Sequence, residues 1–103
     1  MSRREVIVSG PVGDPMVRQQ AEALRADPKG AEERELDVRE RESTSFEVEL
    51  RGKDGGLQAR CDNLVGVTEL WARIDSLPGR RRELRERAVA AGSGGQPTRT
   101  VFV

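Results

Sequence analysis

The sequence of 103 residues contains no histidine, no tyrosine and a single cysteine, Cys61. Without histidine, this chain alone cannot form a Ser-His-Asp or Cys-His catalytic site, or a metal site that uses histidine. A single cysteine excludes an intramolecular disulfide, and the absence of a Cys-x-x-Cys pair excludes thiol exchange within the chain and a cysteine zinc site. The composition therefore removes several common catalytic classes, and we expect neither a metal nor a cofactor.

Long apolar runs are also missing. No stretch approaches the roughly 18 apolar residues that span a membrane. The amino terminus carries only a short apolar stretch, Val6 to Val8, whereas the apolar region of a signal peptide needs at least about seven residues. We therefore expect no membrane partner and, for the chain as given, a cytoplasmic location.

Aromatic residues make up only 3% of the chain, and its pI is about 6.3. A domain that binds nucleic acid usually presents a basic surface and aromatic side chains on which bases stack. Lysine and arginine number 18, as do aspartate and glutamate, although residues 27–49 are mainly acidic and residues 79–90 mainly basic. These local excesses are typical of a solvated surface, and we expect no nucleic-acid partner.

Four short segments have the β-branched or alternating apolar pattern of strands. They are Arg4–Ser9, Leu36–Glu42, Phe46–Leu50 and Leu57–Cys61. The charge on the second segment is typical of a sheet edge, and the alternation in the fourth places Leu57, Ala59 and Cys61 on one face. Between the third and fourth segments, Gly52–Gly56 predicts a tight hairpin, because Asp-Gly favours positive φ at both central positions.

Helix signals fall between and after these strands. Asp14 and Pro15 form an amino-terminal cap and first turn, followed by an apolar stripe of Val17, Ala21 and Leu24. Asp27-Pro28 interrupts this helix, and a short helical turn is expected to follow as far as Arg34.

The strongest apolar stripe in the chain has helical spacing and consists of Val67, Leu70, Trp71, Ile74 and Leu77. It predicts that Trp71 is a core residue. We expect Pro78-Gly79 to end this helix and Arg80–Ala90 to form a basic helix of its own.

This order predicts a parallel, right-handed βαβ unit followed by antiparallel strands. The fold class is therefore α/β and reduced thioredoxin-like, with a mixed sheet of about four strands, two main helices and a basic carboxyl-terminal helix. The first strand is expected to be central, between the second and the third. Residues 1–90 would form this domain and residues 91–103 a flexible tail, whose end, Val101–Val103, either adds as a strand to a partner or frays.

Three stretches resemble the DUF4174 family, a thioredoxin-like domain of unknown function that also occurs in secreted matrix proteins. They are Gly52–Gly56 with Arg60, Glu69–Pro78 followed by Arg80–Leu84, and Asp14-Pro15 with Gln19 and Ala26–Asp37. The resemblance covers roughly residues 4–88 and implies the thioredoxin-like fold. Two features depart from the family: Arg41–Ser45 leaves no room for its helix between the second and third strands, and no proline precedes Phe46.

If family residues form a site, the resemblance suggests Lys53, Arg60, Arg81 and Glu83. From the residues themselves, Asp75 could pair with Arg81 or Arg82 across the Pro78-Gly79 bend. We therefore expect a functional surface where the Gly52–Gly56 hairpin faces this bend. The arginines there would bind either Asp75 or Glu83, as a structural lock, or an anion from outside the chain.

These observations predict a non-catalytic binding or structural module with an unidentified protein partner and an open oligomeric state. The loop Ser9–Asp14 lies where thioredoxins carry reactive cysteines and has none, and Cys61 is predicted to be a buried, inert thiol. Two alternatives stay open: a redox-linked protein that uses Cys61 between chains, and an anion-binding regulator that uses Arg80–Arg82.

Overall fold

A computed structural model describes residues 3–92, which form four strands and four helices. The strands are β1 (Arg4–Gly10), β2 (Leu36–Glu42), β3 (Glu47–Arg51) and β4 (Leu57–Cys61). The helices are α1 (Pro15–Arg25), α2 (Pro28–Glu33), α3 (Val67–Asp75) and α4 (Pro78–Gly92). The chain makes two compact units, Met1–Trp71 and Ala72–Val103. The prediction for Val101–Val103 lies outside the described residues.

The first unit contains a mixed sheet with the strand order β2-β1-β3-β4. β1 runs parallel to β2 and antiparallel to β3, and β4 is antiparallel to β3. This confirms the predicted α/β class and the central place of β1, and the arrangement is compatible with a reduced thioredoxin-like fold. Residues 43–46 join β2 to β3 without a helix, as the sequence predicted.

The two faces of the sheet differ in chemistry because side chains alternate along a strand. Val6 and Val8 of β1 and Val48 and Leu50 of β3 are buried on one face, and α1 packs against β1 and β2. The cross-strand partners on the other face are mainly charged: Glu5, Asp37, Arg39, Arg41, Glu47, Glu49, Arg51 and Arg60. We call this second set the charged face.

Helix α1 begins as predicted, since the Asp14 carboxylate accepts a hydrogen bond from the Met16 N–H at 2.9 Å. Ala21 and Leu24 are buried, but Gln20 is buried beside them with 1% exposure. Its side-chain amide donates to the Val65 carbonyl at 3.0 Å and accepts from the Val65 N–H at 2.7 Å. Apolar periodicity could not reveal this polar clamp, which fixes the loop before α3.

The β3–β4 hairpin differs from the predicted tight turn. Gly55 has φ +85°, but Asp54 is not in the left-handed region, so the prediction of positive φ at both positions is wrong. The turn instead spans residues 52–56, closed by a Gly52 N–H···O=C Gly56 bond of 2.9 Å. Next to it, Arg51 lies opposite Leu57 and Leu50 opposite Ala59, which leaves residue 58 as a β-bulge.

The bulge also corrects the predicted alternation in β4. Because one extra residue shifts the side-chain parity, Leu57 lies beside Arg51 and leaves the face shared by Ala59 and Cys61. Leu57 is accordingly 47% exposed. The regular alternation of apolar residues from Leu57 to Cys61 did not indicate this shift.

In the second unit, α4 begins at Pro78, two residues before the predicted start. Proline suits the first position of a helix because its missing N–H would have no partner there. Pro78 therefore begins α4 rather than only ending α3. Residues 81–89 are exposed except for the half-buried Glu83, so α4 presents a basic surface.

Candidate functional site

The amino end of β1 is held by a group of paired polar side chains. The buried Arg4 donates from its guanidinium to the Arg34 carbonyl at 2.8 Å, and the Arg4 N–H donates to the Glu35 carbonyl at 2.8 Å. Glu35, in the left-handed region at φ +51°, binds the Lys53 ammonium at 2.9 Å. The structure therefore places the predicted site residue Lys53 in a contact that ties the hairpin to the turn after α2.

Trp71 extends the same group. Its indole Nε1–H donates to Asp27 Oδ2 at 2.7 Å, while Asp27 Oδ1 accepts from the Gly30 N–H at 3.1 Å. The Arg34 guanidinium lies 5.1 Å from the centre of the Trp71 ring, a cation–π distance. Trp71 is 8% exposed, which confirms its predicted place in the core.

These contacts affect the ionisation of Asp27. The hydrogen bond from Trp71, and after it the one from Gly30, hold the pKa of Asp27 below its usual value of 3.8. The fit is also tight, because a Cβ at residue 30 would lie 2.6 Å from Trp71 Nε1 and would collide with the Asp27 carboxylate. We call Arg4, Asp27, Arg34, Glu35, Lys53 and Trp71 the amino-end cluster.

Arg60, the second predicted site residue, belongs to the charged face. Its Nε lies 3.2 Å from Glu47 Oε2. The neighbouring Glu49 side chain is only 8% exposed and lies between Arg41, at 3.6 Å, and Arg51, at 3.3 Å. Arg60 therefore binds Glu47, whereas Lys53 binds Glu35.

In the second unit, the Asp75 and Glu83 carboxylates meet at Arg80. The Arg80 Nε donates to Asp75 Oδ1 at 3.1 Å, and the Arg80 Nη1 lies 3.5 Å from Glu83 Oε1. Arg80 is 1% exposed, whereas Arg81 and Arg82 are exposed. The predicted lock thus exists with a different arginine, because the earlier start of α4 places Arg80 inward.

The carboxyl end of β1 contains a cleft of about 290 Å³, which we call the terminal cleft. Its lining is residues 10–14, Val17, Arg18 and residues 40–42. The Ser43 N–H donates to the Gly10 carbonyl at 2.9 Å and ties the two walls together. Gly10 is required there, since a Cβ would lie 2.5 Å from Val17 Cγ2.

Most charges around the terminal cleft already have partners. The Asp14 carboxylate caps α1, Glu40 lies 2.6 Å from Arg25, and Arg41 pairs with Glu49. Two charges differ. Among residues 3–92, no side chain forms a hydrogen bond or an ion pair with Arg18 or Glu42, and both are exposed. The cleft therefore offers one available guanidinium and one available carboxylate.

Sequence reasoning missed Arg18 and Glu42. Each resembles an ordinary surface charge, and they are far apart in the chain. The available signal was topological: a parallel β1–β2 pair brings the loop after β1 and the end of β2 to the same sheet edge.

Cys61 is half-buried, so the prediction of a fully buried thiol is wrong. Its Sγ lies 3.4 Å from both the Asn63 N–H nitrogen and the Asn63 carbonyl oxygen. In the described part of the chain, no three Cys, Asp or Glu side chains are placed to hold a metal ion. None of the helices within residues 3–92 is long and apolar enough to cross a membrane.

Comparison with family models, with curated proteins and with solved structures finds no match for this chain.

Proposed function

We propose that the chain is a non-catalytic binding module whose ligand site is the terminal cleft. The observation that carries this proposal is the pair Arg18 and Glu42, which have opposite charges and line one concave site without a side-chain partner in the described chain. Ligands of open α/β sheets bind outside the carboxyl ends of the strands. The terminal cleft lies at that end of β1 and β2.

The shape of the terminal cleft supports binding. Gly10 permits the close contact with Val17, Gly13 adopts φ +79°, and the Ser43–Gly10 hydrogen bond joins the loop to the end of β2. A site with fixed walls orders fewer groups when it binds, and this lowers the entropic cost. Its volume of about 290 Å³ is at the lower limit of ordinary ligand pockets and suits a small molecule.

The residues predicted from the family resemblance support a structural role instead. Three of these four residues show it: Lys53 and Arg60 each bind a carboxylate of this chain, and Glu83 binds the buried Arg80. Groups that are already paired offer little to a ligand, since binding would first have to break the existing contact. DUF4174 membership and the meeting of the hairpin with the bend remain predictions.

A fragment screen by NMR would test the proposed site. The ¹⁵N-labelled chain is titrated with a library of small polar fragments, and amide shifts are mapped. We expect most shifts in residues 10–18 and 40–42. Shifts concentrated at Cys61 and Asn63, or at the arginines of α4, would contradict the proposal and favour the redox or the anion-binding alternative.

A second candidate is an anion-binding regulator on α4. Arg81, Arg82 and Arg85 are exposed, and no acidic side chain among the described residues pairs with them. Exposed guanidinium groups bind phosphate in bidentate geometry. Under this candidate, phosphate raises the melting temperature of the wild type but not of the Arg81→Ala/Arg82→Ala variant, and added sodium chloride removes the difference.

A further inference from the structure

We propose that the terminal cleft binds a small zwitterion, a molecule with one carboxylate and one ammonium group, such as a free amino acid or a dipeptide. The Arg18 guanidinium would bind the carboxylate, and the Glu42 carboxylate would bind the ammonium group. This inference rests on the binding function proposed for the same cleft and names the class of its ligand.

The charges of the lining favour both signs in one ligand. The residues that line the cleft include three acids, Asp14, Glu40 and Glu42, and two arginines, Arg18 and Arg41, and the Arg41 guanidinium is paired with Glu49. A ligand that is only an anion would meet the field of three acids, and a ligand that is only a cation would leave the Arg18 guanidinium without a partner. A zwitterion satisfies the two available groups and keeps the net charge of the site unchanged.

The amino terminus of α1 does not supply the anion site. A helix amino terminus attracts anions through its unpaired N–H groups and its dipole, but here the Asp14 carboxylate already accepts from the Met16 N–H. The carboxylate of a ligand is therefore directed to Arg18, one turn further along α1. Arginine suits this role because its planar guanidinium offers two parallel donors to a carboxylate.

Glu42 is suited to the ammonium group. It is the last residue of β2, an edge strand, and its side chain is exposed at the rim of the cleft. An ammonium group has three donors and no acceptor, so it needs acceptor oxygens. The neighbouring Glu40 carboxylate is held by Arg25 at 2.6 Å, which leaves Glu42 as the available acceptor.

The apolar part of the lining indicates which zwitterion fits. Val17 is half-buried in the cleft, and Pro11 and Val12 are exposed at its rim, with Val12 at 79% exposure. An aliphatic side chain on the ligand would cover these residues and remove apolar surface from water. Leucine is therefore a suitable probe, with leucyl-leucine as the dipeptide.

The test titrates the ¹⁵N-labelled full chain with leucine, leucyl-leucine, N-acetyl-leucine and leucinamide, and follows the amide signals of Gly13 and Arg18. N-acetyl-leucine lacks the ammonium group and leucinamide lacks the carboxylate. We expect each of these two to bind about three- to tenfold more weakly than leucine, as for the loss of one charged hydrogen bond at an exposed site. The ratio of leucyl-leucine to leucine affinity distinguishes a dipeptide from a free amino acid.

Variants assign the two charges. Arg18→Gln should weaken leucine binding but leave leucinamide unchanged, and Glu42→Gln should weaken leucine but leave N-acetyl-leucine unchanged. Arg73→Gln and Glu69→Gln remove the same charges from exposed positions outside the cleft and should change neither titration.

The outcomes separate this inference from the function on which it rests. If N-acetyl-leucine or leucinamide binds in the cleft as tightly as leucine, the proposal of a zwitterionic ligand is wrong, although the cleft remains a ligand site. If neither these probes nor the fragment library shifts the amides of residues 10–18 and 40–42, both proposals are wrong.

Discussion

The two ends of β1 differ in whether the charged side chains there bind other groups of the described chain. At the amino end, Arg4, Glu35 and Lys53 are buried or half-buried and bind groups of the same chain. At the carboxyl end, Arg18 and Glu42 are exposed and bind no described side chain. A partly buried, hydrogen-bonded charge contributes to folding, whereas an exposed, unpaired one contributes almost nothing to stability. The contacts of the amino-end cluster therefore stabilise the fold, whereas Arg18 and Glu42 of the terminal cleft add little to stability.

The largest expected effect is in the amino-end cluster, at Trp71. Trp71→Ala should lower the free energy of unfolding by about 3–5 kcal/mol, since it leaves a cavity and removes the donor to Asp27. Trp71→Phe keeps most of the ring and should cost less, because it loses the hydrogen bond to Asp27 but leaves a smaller cavity. Urea denaturation of the two variants measures both changes in the free energy of unfolding. If the alanine variant is as stable as the wild type, Trp71 is not a core residue.

Gly30→Ala should have the second largest effect and should lower the free energy of unfolding by about 1–3 kcal/mol, because the added Cβ overpacks the site. Alanine is usually the better helix former, so a loss of stability at a helical glycine has the opposite sign to the general rule. The reason is the collision of the new Cβ with the Asp27 carboxylate and Trp71 Nε1.

Gly66→Ala is the matched control for this substitution. The nearest atom to a Cβ at residue 66 is 4.0 Å away, so the change causes no overpacking. Gly66 precedes α3 and its carbonyl accepts from the Leu70 N–H at 2.9 Å, so the only expected cost is the small preference of a helix amino-cap for glycine over alanine, less than about 1 kcal/mol. Equal thermal melts for the two variants would contradict the close packing of Asp27, Gly30 and Trp71.

A smaller effect is expected from pH. The hydrogen bond from Trp71 lowers the pKa of Asp27 in the folded chain. A carboxyl group with a lowered folded pKa stabilises the fold above its unfolded pKa, and this stabilisation is lost as the pH falls through the folded value. Stability should therefore decrease below about pH 4, and Asp27→Asn should show a shallower decrease than the wild type. Parallel pH profiles would show that Asp27 does not contribute.

Local patterns predicted most of the fold because they concern neighbouring residues. Asp14 and Pro15 mark the start of α1, Asp27-Pro28 marks the start of α2, and the charge of Leu36–Glu42 indicates an edge strand. The central position of β1 was predicted from the order of the elements and from the family resemblance. These features depend on capping, proline geometry and strand alternation, which can all be assessed within a few residues.

The errors concern features that depend on a shift of one or two residues. The bulge beside Gly52–Gly56 moves Leu57 to the other face of the sheet. The earlier start of α4 makes Arg80 the partner of Asp75, where Arg81 or Arg82 was predicted. Neither shift changes the apolar pattern that the sequence shows. The terminal cleft was missed for a different reason, because Arg18 and Glu42 come to line one cleft only through the tertiary pairing of β1 with β2.

The smallest expected effect on stability distinguishes the two ends of β1 most directly. Arg18→Gln and Glu42→Gln should each change the free energy of unfolding by no more than about 0.5 kcal/mol. Both side chains are exposed, so their replacement breaks no contact with a described side chain. Lys53→Met removes a half-buried ion pair and should cost more than either, up to about 1 kcal/mol. Ligand binding should show the reverse order, with a loss for the two cleft variants and none for Lys53→Met. If Arg18→Gln instead destabilises the fold as much as Lys53→Met, Arg18 is a structural residue and the distinction between the two ends is wrong.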